Sequence, residues 1–405
     1  YRKVLAAATL AGITVLAGCG NATPITSWNP LTVHDHAYME PLGAEYNETV
    51  PDFPVERVIT ADIYTEIYTV MNSGKDIPDL TLIHADRVPQ FADLDMLEPI
   101  EGLMATNTDL SADNYLEVAW NAGNYEGTQY TVPLDIHGNA MYYNTDLLDK
   151  YDANTFLDDD VVTIEEILSL DGKLDEGQYA INNALIEWVT LANVVNAGGD
   201  ISDEAGNPTI NTDAMRSVVE QLKSVADAGL MSPYGEDGYA MFQSGDVLFS
   251  TDGTWTSTAH GSVEGLNFGV TNIYSVTPDK FTNRSSAHLF SLLNNEDRTD
   301  EKEQGVADFL SWMRENSLDW AGAGQIVASK EVFESEEYQQ YPQSFFTSSD
   351  VEKEASYIFD YKYYSYVESA LGTLLSDMIY GNITIDEGLD QAQKTVEDLI
   401  AENAS

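Results

Sequence analysis

The chain has 405 residues, 68 of them acidic and 18 basic, and a formal charge of −50 at pH 7. A surface this acidic repels nucleic acid and anionic lipid, which excludes partners held through phosphate. Cys19 is the only cysteine, so stability must come from packing without disulfides, and the length exceeds what one core usually serves, so two lobes are expected.

Arg2-Lys3, an apolar run from Val4 to Val15, and Leu16-Ala17-Gly18-Cys19 open the chain. The run is too short to span a bilayer and ends in small residues, so residues 1–18 read as a secretory signal with a lipobox. Cleavage before Cys19 would free its thiol for lipid attachment. Residues 19–24 would then tether a soluble protein to the outer face of the cell membrane, with the lipid as its only attachment. The acids beyond are scattered, which reads as a solvated surface suited to salt or low external pH.

Ile25 to Trp28 reads as a strand that Asn29-Pro30 turns out of the sheet. Ile63, Ile67, Val70 and Met71 recur at helical spacing behind a Thr60 cap and stop at Asn72-Ser73-Gly74. Asp79 to Ile83 has the composition of a buried strand and delivers His84-Ala85-Asp86-Arg87 at its C-terminal end, where open α/β sheets bind ligands. In the second half, Asp203 to Pro208 reads as a hairpin tip. A helix capped by Asn211 or Thr212 follows, with Val218, Val219, Leu222, Val225 and Ala226 on one face and Gly229 at its end. Thr384 with Glu387 makes a capping box ahead of the stripe Leu389, Ala392, Val396 and Leu399. Repeated strand–helix alternation predicts α/β lobes, and the lack of a linker predicts that the chain crosses between them more than once.

Five segments in order carry a resemblance: Ser27-Trp28-Asn29-Pro30; Ile77-Pro78-Asp79 through Glu98-Pro99-Ile100; Gly127 to Asp135 running into Met141-Tyr142-Tyr143-Asn144; Gly198-Gly199-Asp200 through the Asn211 helix; and Met241 to Asp246 with Asp252-Gly253-Thr254-Trp255. Together they resemble the extracellular solute-binding proteins of ABC importers, in the carbohydrate-binding group that includes maltose-binding protein. The resemblance implies a two-lobed α/β fold of the periplasmic-binding-protein type, with a central ligand cleft and three interlobe crossings near 133–138, 284–288 and 325–330. The lobes implied are 25–134 with 288–327 and 138–284 with 330–405. It also implies a monomer that closes on a small-molecule carbohydrate and hands it to permease subunits, with no catalysis and no cofactor.

Sugars present polar edges and apolar faces, so a site for them needs planar hydrogen-bonding groups and aromatic platforms. On the resemblance, Asp86 and Arg87 take the place of a charged pair on sugar hydroxyls, and Trp255 after Asp252 that of a stacking ring. Glu187 and Trp188 would reach the cleft from a helix, although the spacing of Trp188 with Leu191 and Val195 fits a core position equally. Asn29 and Trp28 leave the first strand at the cleft edge. Asp135 lies at the first crossing beside His137, which reads equally as hinge residue or ligand group. Of the five tyrosines between Tyr357 and Tyr366, one of Tyr361, Tyr363 and Tyr364 is expected to enter the cleft. His34-Asp35-His36 offers zinc-ligand chemistry but reads as a solvated turn in a polar loop, so no metal is expected there. The scarcity of basic residues disfavours an anionic guest such as a glycerol phosphodiester; polyamine and metal guests are further alternatives. A secreted glycoside hydrolase would need two framed carboxylates, and none is recognisable; an adhesin would show no ligand-dependent compaction.

Overall fold

The structure is a computed structural model that describes residues 22–31, 33–60, 62–278, 280–348 and 356–403. Cys19, the lipobox and the start of the tether lie outside the described residues. Among those residues no helix is long and apolar enough to cross a membrane.

Two sheets organise the molecule. The first runs in the order Val55–Ile59, Ile25–Asn29, Leu80–His84, His288–Leu293, Leu97–Glu98, with Thr131–Pro133 also paired to His288–Leu293. Its first three strands are parallel and His288–Leu293 is antiparallel to Leu80–His84. Parallel strands need covered faces. Here one face carries Ile63, Ile67, Val88 and Phe91, and the other packs with Met39, Tyr46, Val306 and Phe309. The second sheet runs Ser356–Tyr357, Asn283–Ser286, Asp135–Asn144, Val247–Gly253, Tyr179–Ile181, and Phe268–Thr271 and Ile326–Val327 also pair with Asp135–Asn144. Helices Ile186–Asn196, Asp213–Asp227, Tyr364–Ile379 and Ile385–Asn403 supply its main core.

The two lobes are joined by three crossings, where consecutive strands change sheet. Leu134 separates Thr131–Pro133 in the first sheet from Asp135–Asn144 in the second. Ala287 separates Asn283–Ser286 from His288–Leu293. The third passes through Ile326–Val327, which pairs with Asp135 and Ile136. Beyond it, Val332, Tyr338 and Phe346 pack in a cluster that joins Ile25 and Leu80 of the first sheet to Tyr142 and Val247 of the second.

Local signals in the sequence act as their chemistry dictates. The hydroxyl of Thr212 accepts from Met215 N at 3.2 Å, and Val218, Val219, Leu222 and Val225 are buried. Asp203 closes the hairpin tip by accepting from Ala205 N and Asn207 N, both at 2.9 Å. Thr384 and Glu387 exchange bonds as a full box. Two details differ. The helix Ile63–Ser73 starts behind Asp62, so the Thr60 position lies too early, and Ile400 rather than Leu399 completes the C-terminal stripe against the core. A third difference matters for the site: His34-Asp35-His36 is no solvated turn but the first turn of the helix Val33–Thr49. His34 Nε2 lies 3.2 Å from Ala323 O, and Gln325 Nε2 reaches towards Asp35 at 3.5 Å, so this helix start is docked on the third crossing.

Candidate functional site

Between the lobes lies a cavity of about 350 Å³ whose lining includes Asp35, Tyr64, Asp86, Arg87, Trp188, Trp255, Arg284 and Glu368. Most come from element ends that the fold aims at the cleft, and Glu368 from the second turn of the helix Tyr364–Ile379. Leu80–His84 delivers Asp86 and Arg87, whose Nε and carboxylate sit 3.2 Å apart, and the Arg87 guanidinium lies 4.1 Å over the Tyr64 ring. The opposite wall is built around Arg284. Its side chain is only 3% exposed; Nε donates to the phenol oxygen of Tyr364 at 2.8 Å, and its guanidinium lies 3.5 Å over Trp188. Glu368 stands 3.6 Å from Arg284 Nη2 and accepts from Trp188 Nε1. Arg284 Nη1 is buried with no hydrogen-bond partner among the described residues.

Trp255 meets Trp188 edge to face, with centroids 5.8 Å apart. Gly253 makes this placement possible, because a Cβ there would stand inside the Trp255 ring. The pair therefore offers aromatic surface beside two carboxylate–guanidinium pairs, the mixture that polyhydroxylated molecules need.

The sequence-expected residues divide. Asp86, Arg87, Trp188 and Trp255 come together in the cavity lining, whereas Asn29, Asp135, Glu187, Asp252, Tyr361 and Tyr363 are not part of it. Asn29 is buried at its strand end, where Oδ1 accepts from Leu31 N at 3.1 Å. Glu187, half-buried, shares the first helical turn with Trp188. Tyr361 is buried in the second core and donates to Gly206 O at 3.2 Å; Tyr363 stacks on Tyr366 with centroids 5.6 Å apart. Tyr364 reaches the cleft only through Arg284.

Asp135 is spent on the hinge. It is fully buried; Oδ1 accepts from His137 Nδ1 at 3.1 Å and His288 N at 3.0 Å, and Oδ2 from His288 Nδ1 at 2.8 Å and Trp320 Nε1 at 2.7 Å. Burial alone would lift its carboxyl, but the His288 charge and the bonds from both histidines outweigh it and hold the group well below the usual range.

Asp252 is buried for a different reason. Its carboxylate accepts from Gly253 N at 2.7 Å, yet burial outweighs that bond and lifts the group to about 6. An unfolded aspartate titrates at about 3.9. Folding is therefore favoured below about pH 4, and this contribution is lost as pH rises through 6. Asp252→Asn removes the penalty. The variant is expected to exceed the natural protein by on the order of 1–3 kcal/mol near pH 7.5 and to match it below about pH 4, read from urea midpoints. A difference that does not change with pH would show that the carboxyl does not titrate in this way.

Arg284, Glu368 and Tyr64 escape sequence reasoning, since they come from a crossing strand, a late helix and an early one with no local spacing to join them. Asp35 carried a signal in its His-Asp-His setting, but it pointed to a turn.

Two α/β lobes, three crossings and a charged aromatic cleft at the switch between sheets define a receptor that binds a molecule between its lobes. The chain belongs to the bacterial extracellular solute-binding proteins, the family it matches over residues 42–347. The arabinooligosaccharide-binding protein of Halalkalibacterium halodurans is 23% identical over 258 residues, 58% of this chain, and the match spans 54% of that relative, about half its length. The fold is similar to that of an ABC substrate-binding protein of Listeria monocytogenes solved in complex with cycloalternan, with a TM-score of 0.78 and 17% identity, covering 94% of this chain and 99% of that one. It is equally similar, at 0.78 and 17% over the same shares, to the GacH receptor of Streptomyces glaucescens, solved unliganded and with acarbose. The cyclic alpha-maltosyl-1,6-maltose binding protein of Arthrobacter globiformis follows at 0.74 and 19%, covering 94% and 99%.

Proposed function

We propose that the protein is the substrate-binding protein of an ABC importer, that it captures a di- or oligosaccharide by lobe closure, and that it releases the sugar unaltered to membrane permease subunits. The observation that carries this reading is the cleft itself, where Trp188 and Trp255 lie beside Asp86, Arg87, Arg284 and Glu368. Rings bind the apolar faces of pyranose units, and carboxylates and guanidiniums bridge their hydroxyls in pairs. The saccharides named for the similar proteins agree with that chemistry. The lobes proposed are 25–134 with 288–327 and 138–284 with 330–405, divided at the crossings. Cys19 carries a lipid that keeps the protein at the outer face of the membrane.

Guest bridging both lobes would favour the closed form by its differential affinity for the two states. A thermal-shift screen over mono- to oligosaccharides tests the substrate class: a saccharide should raise the melting temperature while remaining intact in the recovered solution. Stabilisation by a polyamine or peptide and by no sugar would overturn it, and product formation would point to a hydrolase. With the active sugar in hand, Trp255→Ala is expected to weaken binding by roughly 1–3 kcal/mol in calorimetry. Unchanged affinity with lowered stability would make Trp255 a packing residue.

A further inference from the structure

Three of the chain's six histidines meet at the floor of the cleft, although they lie far apart in sequence. Strand register brings them there. His84, at the end of its first-lobe strand, pairs with His288, while His137 lies opposite Ser286, two residues before His288 on the second crossing. One ring nitrogen of each lies within 4.8 Å of those of the other two, and all three rings line the cavity.

The far sides of the rings are held. His137 and His288 give their Nδ1–H groups to the two oxygens of Asp135, and His84 Nδ1 is paired with the Tyr64 hydroxyl. Each ring is thus engaged through Nδ1, which leaves Nε2 on the side away from that bond. Imidazoles anchored through Nδ1 on a carboxylate or hydroxyl are oriented to offer Nε2, the way outer hydrogen bonds hold metal-ligating histidines. The surrounding charge favours a cation, since Asp35, Asp86, Asp135 and Glu368 outnumber Arg87 and Arg284 in and beneath the cavity.

We propose that His84, His137 and His288 bind one divalent transition-metal ion of the zinc class through Nε2, with a remaining coordination position open to the cleft. Three imidazoles select such an ion over magnesium or calcium, which take oxygen ligands. Bonds of about 2.0–2.1 Å in a tetrahedral shell set nitrogens roughly 3.4 Å apart. The three ring nitrogens therefore need to draw together from within 4.8 Å as the ion binds. Because His137 and His288 sit on two crossings and His84 on the first lobe, the ion would tie the hinge to one wall of the cleft.

Protein stripped with EDTA and titrated with zinc chloride in a calorimeter tests the site. One equivalent should bind, magnesium chloride in excess should not displace it, and cobalt chloride should give the visible absorption of a four-coordinate nitrogen-ligated ion. His84→Gln should fold as the natural protein does by circular dichroism and lose at least tenfold in zinc affinity. No binding, several weak sites displaced by magnesium, or an unchanged affinity in His84→Gln would overturn the proposal. If His84→Gln does not fold, the cobalt spectrum of the natural protein decides, since octahedral all-oxygen coordination would overturn it as well. Zinc binding needs no saccharide, so its failure leaves the proposed function standing.

Discussion

Asp135→Ala is expected to remove about 3–5 kcal/mol of stability, the loss that follows when one partner of a buried ionic network is deleted. The reason is the number of donors that converge on one carboxylate. Four hydrogen bonds reach it, from the rings of His137, His288 and Trp320 and from the His288 backbone, and the group has no exposed surface. Alanine strands all four donors at a buried position, where each unsatisfied group costs about 1–3 kcal/mol before the surroundings relax. Asp135→Asn keeps one acceptor and should fall between the two. Urea denaturation in the presence of EDTA reads the effect; a natural midpoint for Asp135→Ala would show that the hinge draws its stability elsewhere. All three partners lie at crossings or beside the third, so the loss is expected to loosen the hinge as well as the fold.

Arg284→Lys is expected to weaken saccharide binding at least about tenfold, roughly 1.4 kcal/mol, although charge is conserved. A guanidinium stacks on an indole face and donates in several directions at once; an ammonium does neither in this geometry. Here the plane lies 3.5 Å over Trp188 while Nε holds Tyr364, Nη2 faces Glu368 and Nη1 remains unpaired. Lysine leaves Trp188 without its backing and Tyr364 without its partner, so the cleft wall loses shape and donors together. Calorimetry with the sugar found by thermal shift measures the change. An affinity equal to that of the natural protein, with a lowered melting temperature, would make Arg284 part of the scaffold alone.

Much of the fold is written locally. The Thr212 cap, the Asp203 turn and the Thr384–Glu387 box are contacts between residues two to four apart, which is the range over which sequence is legible. Crossings too could be placed, because the segments that carry the family resemblance bracket them. The cleft is less legible, and the reason is geometric. Asp86, Arg87, Trp188 and Trp255 each follow a strand or open a helix, so position in the element betrays them. Arg284 and Glu368 become neighbours only when the strand Asn283–Ser286 packs beside the helix Tyr364–Ile379, and no spacing in sequence encodes that. Asp135 illustrates the converse: its type and place suit a guest, but two histidines and a tryptophan reach it first.

The lobes also touch beyond the cavity. Lys362 meets Asp93 at 2.9 Å near the surface, and the buried Gln90 reaches the Tyr366 hydroxyl at 3.4 Å. An exposed ion pair contributes about 0–1 kcal/mol and fades with salt. So light a latch holds the outer rim weakly, and more weakly at high ionic strength, which leaves whatever is caught inside room to bias the shell towards shutting.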